Sequence, residues 1–339
     1  MVNTTESSSE PSNDVGGGSP LIVAGMPRCG STIFTQLLNQ SQDLLVINDL
    51  YYLQFVDGIG SFDSCDAVAQ KKLVEYIEHG LIGRIERVSS QGIGAGIKIS
   101  PEQESKILSF IRNFEYSPQK DWASILEEIL EYASCTSGNK IWGYNTPQDY
   151  LNLDLIRKTY PDSKIVFVIR DCRSMLSSYK YIDESYENSR SRYHPVLQSL
   201  AWRTAVRAFN SYKISFPDDI LLVRYEDLVS DTQATMQRVA KFTTANFPSI
   251  DLKDFEANSS FKGRKRKFIT STEVWLCERI VAKELKQLGY SISDEKPKLK
   301  DLSDLLKTTL RASGFYLHQI ITSANIRKRI LKLVKKISS

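Results

Sequence analysis

The octet Gly25-Met26-Pro27-Arg28-Cys29-Gly30-Ser31-Thr32 joins a short apolar run to a helix-like stretch. Glycine-rich turns of this kind let backbone N–H groups converge on an anion, and the N-terminus of the next helix adds roughly half a positive charge. The chemistry such a loop serves is that of phosphate-like groups. Glycines five apart followed by two hydroxyls nearly match the Walker A pattern, but Ser31 stands where that motif has its lysine. The cation, Arg28, lies inside the loop instead. A tight strand-to-helix turn with no ligand is the plainer alternative. A second segment, Arg170-Asp171-Cys172-Arg173-Ser174-Met175-Leu176-Ser177-Ser178, follows the apolar run Ile165-Val166-Phe167-Val168-Ile169. An arginine at the carboxyl end of a buried strand faces the crevice in which ligands of open α/β sheets bind. Ser178, about two helical turns on, lets a guanidinium and a hydroxyl share one cluster of ligand oxygens. Alternatively, Arg170 and Asp171 form a local ion pair and Ser177-Ser178 a polar helix face.

Short apolar runs alternating with longer helical patterns must position these groups. Leu21 to Ala24, Ile97 to Ile99, Lys140 to Trp142, Ile165 to Ile169 and Ile220 to Val223 read as strands, and the last two are apolar at every position. Such strands are covered on both faces, so the expectation is an α/β three-layer sandwich with a central parallel sheet and a P-loop-like loop. Helices are expected over Ile33 to Asn39, Trp122 to Tyr132, Leu151 to Thr159, Ser174 to Tyr181, Pro195 to Ser215, Thr232 to Phe242 and Thr272 to Leu288. Residues 1–19, rich in serine and glycine without an apolar cluster, read as a disordered leader. The alternation makes 20–296 one domain, and 297–339 a helical, basic extension.

Together the two segments resemble the sulfotransferases that use 3′-phosphoadenosine 5′-phosphosulfate (PAPS). The Gly25 to Thr32 loop is similar to the family's 5′-phosphosulfate loop, in the Met-Pro-Arg-x-Gly-x-Thr form of tyrosylprotein and many bacterial members. Arg170 and Ser178 fall at the spacing of its 3′-phosphate pair, after a family-like Tyr160-Pro161-Asp162-Ser163-Lys164. Val223-Arg224-Tyr225-Glu226-Asp227-Leu228 is similar to an Arg-Tyr-Glu-Asp-Leu segment, and Trp275 with Leu288-Gly289-Tyr290 to a carboxyl-terminal signature. The resemblance spans about residues 20–291.

It implies that the backbone of Arg28, Cys29, Gly30, Ser31 and Thr32, with the Arg28, Ser31 and Thr32 side chains, holds the 5′-phosphosulfate. Arg170 and Ser178 would hold the 3′-phosphate, Tyr225 would contact the adenine side, and Lys262-Gly263-Arg264 would stand for the family's basic loop. A solvated charge run is the alternative for that last group. Sulfuryl transfer needs an in-line acceptor, a base for its proton and a cation for the charge developing on the leaving nucleotide. Asp49, in Val46-Ile47-Asn48-Asp49-Leu50, matches the acidic base of the tyrosylprotein type, with a turn or helix-cap role as the alternative. His194, at the start of a helix, is the second candidate, with a surface cap as its alternative. One departure matters. Where relatives carry Gly-Asp-Lys-Thr-Pro, this chain reads Gly143-Tyr144-Asn145-Thr146-Pro147, so the missing cation falls to Arg28 or to Lys98. A weakly active or non-catalytic PAPS-binding member is therefore a competing expectation, and a P-loop nucleotide kinase or NTPase is another.

Composition limits the rest. The chain has 339 residues, 41% hydrophobic and 25% charged, as in ordinary globular proteins. No stretch approaches the roughly 18 apolar residues of a membrane span, and no signal-peptide pattern opens it, so a cytoplasmic location is expected. Five dispersed cysteines without a CxxC pair or a histidine cluster predict neither a disulfide framework nor a metal site. Of the net charge of +4, six cations lie between Arg327 and Ser339, leaving residues 1–326 at −2. The knot Lys262 to Lys267 and the single arginines suit a small polyanion, and no nucleic-acid partner is expected. Ile326, Ile330, Leu333, Val334 and Ile337 recur at helical spacing among those six cations. This stretch, 326–337, either packs on its own domain or meets a membrane surface. The acceptor is expected to be a small molecule bearing a hydroxyl or an amine, with a natural product as one reading. Its pocket is expected among 51–92, 100–131 and 181–194.

Overall fold

The computed structural model describes residues 19–91, 97, 99–181, 189–249 and 267–322. In chain order the elements are β1 (Leu21–Gly25), α1 (Ser31–Leu38), β2 (Leu44–Asn48), α2 (Tyr52–Ile59), α3 (Ala67–Gln91), α4 (Pro101–Arg112), α5 (Trp122–Thr136), β3 (Ile141–Asn145), α6 (Leu153–Thr159), β4 (Lys164–Ile169) and α7 (Cys172–Lys180). They continue with α8 (Ser189–Arg192), α9 (Pro195–Ser215), β5 (Ile220–Arg224), α10 (Tyr225–Ser230), α11 (Thr232–Thr243), α12 (Ser271–Gln287) and α13 (Leu302–Thr322). The five strands form one parallel sheet in the order β2-β3-β1-β4-β5.

Every residue of β1 and β2 and all but the first of β4 are buried, although side chains alternate between the two faces of a strand. Both faces are therefore covered, as the unbroken apolar runs predict. On one face Phe167 meets Phe209 of α9 at 5.3 Å between ring centroids, and Trp142 meets Tyr160, after α6, at 5.7 Å. The connections β2 to β3, β3 to β4 and β4 to β5 all step the same way along the sheet, and right-handed crossovers place their helices on that face. The step from β1 to β2 runs in the opposite direction, which puts α1 on the other face. Strand β1 is thus a topological switch point, and the crevice at its carboxyl end lies between connections that diverge.

One expected strand is corrected. Ile97 and Ile99 lie outside the sheet, and the edge position is taken by Leu44–Asn48. Ile97 is buried all the same, so its apolar character reflects packing, not pairing. The outer edge of β2 is closed by Asn39, whose side chain accepts from the Val46 N–H (2.8 Å) and donates to the Val46 carbonyl (2.9 Å). That amide imitates a neighbouring strand and removes a free edge.

Past α12, helix α13 is fastened to the domain by polar links. Lys180 Nζ contacts Asp304 at 2.6 Å and Glu273 at 2.8 Å, and the Tyr316 hydroxyl donates to the Arg192 carbonyl at 3.1 Å. Among the described residues no helix is long and apolar enough to cross a membrane. The leader 1–18, the knot residues Lys262, Gly263 and Arg264, Lys98 and the stretch 326–337 fall outside the described residues.

Candidate functional site

All the groups singled out at strand ends gather at one edge, because parallel strands deliver their carboxyl ends together. The loop after β1 turns through two left-handed residues, Arg28 (φ 72°) and Gly30 (φ 94°), with the Cys29 N–H bonded to the Met26 carbonyl at 3.1 Å. Gly30 is the N-cap of α1 and supplies no side-chain cap. The first N–H groups of α1 therefore open towards the crevice with the positive end of the helix dipole. Ser31 is buried and Thr32 exposed at that terminus. Burial pushes the Cys29 thiol up to about 11. It stays protonated, and only its backbone is offered to a ligand.

Gly30 is also demanded by its neighbour. A Cβ there would overlap the ring of Tyr225, which follows β5. The Arg170 guanidinium also lies against that ring, 4.3 Å from its centroid. Tyr225 therefore sits as a buried wedge between the loop and Arg170, and sets the distance between them. Gly30→Ala is expected to lower stability by about 1–3 kcal/mol through the strained φ and the overlap. Urea unfolding of parent and variant measures it, and an unchanged midpoint would mean that Tyr225 yields freely.

Arg28 bridges to the second segment, its Nε donating to Ser178 Oγ at 3.2 Å. Arg170 is nearly buried, and its carbonyl accepts from Trp202 Nε1 at 2.9 Å. Asp171 is engaged elsewhere. Its carboxylate caps α7 through the Arg173 N–H (2.8 Å) and accepts from Arg173 Nε (3.0 Å) and Nη2 (2.5 Å). Arg173 reaches on to Glu278 at 2.7 Å. Glu226 ties the remaining motifs, accepting from the Asp171 N–H at 3.0 Å and from the Tyr290 hydroxyl at 2.8 Å. The Arg224 guanidinium lies over the Tyr290 ring at 4.4 Å. The segments around Arg170, Tyr225 and Tyr290, far apart in sequence, are thus one bonded unit.

The two candidate bases lie in different places. Asp49 follows β2 with φ 51°, and Tyr51 adopts φ 49°, two left-handed non-glycine residues in one turn. Four bonds hold that turn: Leu50 N–H to the Asn145 carbonyl (3.2 Å), Tyr51 N–H to Thr146 Oγ1 (3.1 Å), Tyr76 hydroxyl to the Leu50 carbonyl (2.7 Å) and Asn48 Nδ2 to Asp49 Oδ2 (3.1 Å). Backbone strain persists where surroundings over-determine it. Asn145, fully buried, donates to Asn48 Oδ1 at 2.6 Å, so a chain of amides runs from the end of β3 to the carboxylate. His194 instead begins α9, half-buried, with Nε2 3.2 Å from Thr309 Oγ1 of α13. Burial holds its pKa below the ordinary imidazole value. Its hydrogen-bond partner belongs to α13 and not to the loop after β1. Of the 262–267 knot, Lys267 is described, lying over the Tyr181 ring at 5.8 Å beyond the end of α7.

Two participants escaped the sequence reading. Asn48 orients Asp49, and its one signal was a polar residue closing an apolar strand. Tyr179, beside Ser178, has its hydroxyl pKa raised by burial, with Arg28, Tyr150, Tyr51 and Tyr316 in its electrostatic surroundings.

An open parallel sheet with a glycine-containing strand-to-helix loop at its switch point, and arginines at two strand ends, places the chain in the class of α/β proteins whose crevice lies at the carboxyl ends of the strands. Within that class the chain belongs to the sulfotransferase family, whose model matches residues 20–249. It is therefore a transferase of the sulfotransferase type. The fold is similar to the sulfotransferase domain of the olefin synthase of Synechococcus PCC 7002 (16% identity, 88% of this chain and 94% of that one, TM-score 0.46). It is also similar to the sulfotransferase domain of the curacin biosynthetic pathway (14%, 81% and 99%, 0.48) and to a sulfotransferase of Mycobacterium avium (13%, 83% and 79%, 0.43). No curated protein sequence matches the chain.

Proposed function

We propose that this chain transfers a sulfuryl group from PAPS to the hydroxyl or amine of a small-molecule acceptor, in the cytoplasm. The observation that carries the reading is the Arg28 to Ser178 bond across the β1/β4 switch point, with Tyr225 wedged between Gly30 and Arg170. The donor set fits such a nucleotide. A glycine-containing loop at a helix N-terminus suits a phosphosulfate, and a second arginine with a hydroxyl suits a separate phosphate.

Bound there, PAPS supplies the sulfuryl group and leaves as adenosine 3′,5′-bisphosphate. Arg28 and the N-terminus of α1 neutralise the charge that develops at the 5′ end, with Ser31 and Thr32 as hydroxyl donors. Arg170 and Ser178 hold the 3′-phosphate, joined in the same reading by Lys262, Gly263 and Arg264. Tyr225 sets the spacing of the two subsites and offers its ring edge to the base. Asp49 takes the acceptor proton, with its carboxylate aimed by Asn48 and Asn145. The amide chain also accounts for Asn145 in place of a lysine: it gives up a cation and gains a fixed carboxylate, leaving the positive charge to Arg28.

Titration calorimetry with adenosine 3′,5′-bisphosphate is the direct test, followed by acceptor screening with PAPS while the nucleotide product is measured. Saturable binding at micromolar concentration, about the usual range for enzyme substrates, is expected. A chain that binds no bisphosphate, or that turns over ATP with magnesium instead, overturns the proposal.

A further inference from the structure

Helix α13, beyond the segment that the family model covers, leaves one side of itself bare. Leu299, just before it, and Leu302, Leu306, Leu310, Leu317 and Ile321 along it are between 48% and 86% exposed. Their spacing of three, four or seven residues gathers them into one stripe. The opposite side is anchored: Thr308 and Ala312 are buried, Asp304 is paired with Lys180, and Thr309 meets His194. The stripe is thus held outward by a docked helix.

Its charge surroundings select the partner. Lys300, Lys307 and Arg311 border the leucines, and the single acid of α13, Asp304, is taken by Lys180. Close to the stripe the acids Asp301 and Asp304 are both engaged within the domain, Asp301 accepting from the Thr272 N–H at 3.1 Å and Asp304 paired with Lys180. A second copy of this helix would bring the same cations, its acid Asp304 already taken by Lys180. A leucine stripe bordered by lysine and arginine is instead the pattern of a helix lying in the plane of a lipid interface, drawn there by anionic headgroups.

We propose that α13 docks this chain on an anionic bilayer surface, with the leucine stripe at the headgroup boundary and Lys300, Lys307 and Arg311 among the headgroups. The surface is separate from the sequence-level candidate 326–337 and independent of the reaction proposed above. The end of α7, which carries Ser178, is tied to α13 through Lys180, and Tyr316 of α13 shares the surroundings of Tyr179 with Arg28.

The test is co-sedimentation of the full chain with vesicles of phosphatidylcholine alone and of phosphatidylcholine with phosphatidylglycerol. Partition onto the anionic vesicles alone is expected, weakened about tenfold or more both by Leu306→Ser with Leu310→Ser and by Lys307→Ala with Arg311→Ala. Melting followed by circular dichroism should show both variants folded like the parent. If the leucine pair disturbs folding, the charge pair carries the test alone. The proposal is overturned if the parent partitions onto neither vesicle, or if either folded variant partitions as the parent does. It is overturned too by a two-copy mass in solution that the leucine change returns to one, or by binding of polyglutamate without binding of vesicles, which would assign the face to an acidic protein.

Discussion

Arg170→Ala should weaken binding of adenosine 3′,5′-bisphosphate by roughly 30- to several-thousand-fold. Truncating one partner of a buried, hydrogen-bonded charge pair costs about 2–5 kcal/mol, at 1.4 kcal/mol per tenfold in affinity. The side chain is nearly buried and stacked on Tyr225, so its position is set before any ligand arrives. Arg170→Lys separates charge from shape. Lysine keeps the charge but loses the planar fork and the flat face that lies on the tyrosine ring, and an intermediate affinity is expected. Calorimetry on parent and both variants decides the matter. If alanine binds as the parent does, Arg170 serves only to pack Tyr225, and the assignment of a 3′-phosphate site there fails.

The second large effect belongs to the proton. Asp49→Asn is expected to reduce kcat by about 10²- to 10⁴-fold, the usual worth of a positioned base, while bisphosphate binding stays unchanged. Asparagine keeps the volume and the bond from Asn48, so the strained turn should survive the change. Asn145→Ala breaks the amide chain one link earlier. A smaller loss, of about tenfold, with a displaced acidic limb of the pH–rate profile would show that it acts through Asp49. His194→Ala is the control for the competing base. If that change removes activity and Asp49→Asn does not, the base lies at the junction of α9 and α13, and the crevice must be entered from the side of Tyr316.

The sheet and the two segments that follow β1 and β4 were legible because each is local. An unbroken apolar run signals a strand covered on both faces, and a glycine turn after such a run signals a strand-to-helix junction, whatever lies elsewhere. Helix α9 was readable from Pro195 to Ser215 for the same reason, since its proline start and its periodicity are carried by contiguous residues. The place of the edge strand in the sheet was not. Leu44–Asn48 and Ile97 to Ile99 are both short runs with isoleucines, and only the partner available at the edge of β3 decides which of them joins the sheet. Asn39, which closes that edge by imitating a strand, shows no periodic signal.

By itself the sequence determined the kinds of group present and their order: a loop with an inward cation, an arginine eight residues before a serine, a tyrosine and a carboxylate at strand ends, and an excess of positive charge at the carboxyl-terminal end. Tertiary structure alone decided which of them meet. Residue types and spacing along one chain specify local conformation, but the Arg28 to Ser178 bond spans 150 residues, and the Tyr225 wedge and the amide chain to Asp49 join segments that only sheet order brings together. The same holds for the leucine stripe of α13. Its periodicity is written in the sequence, and which side faces outward follows from where Thr308, Ala312 and Asp304 find their partners.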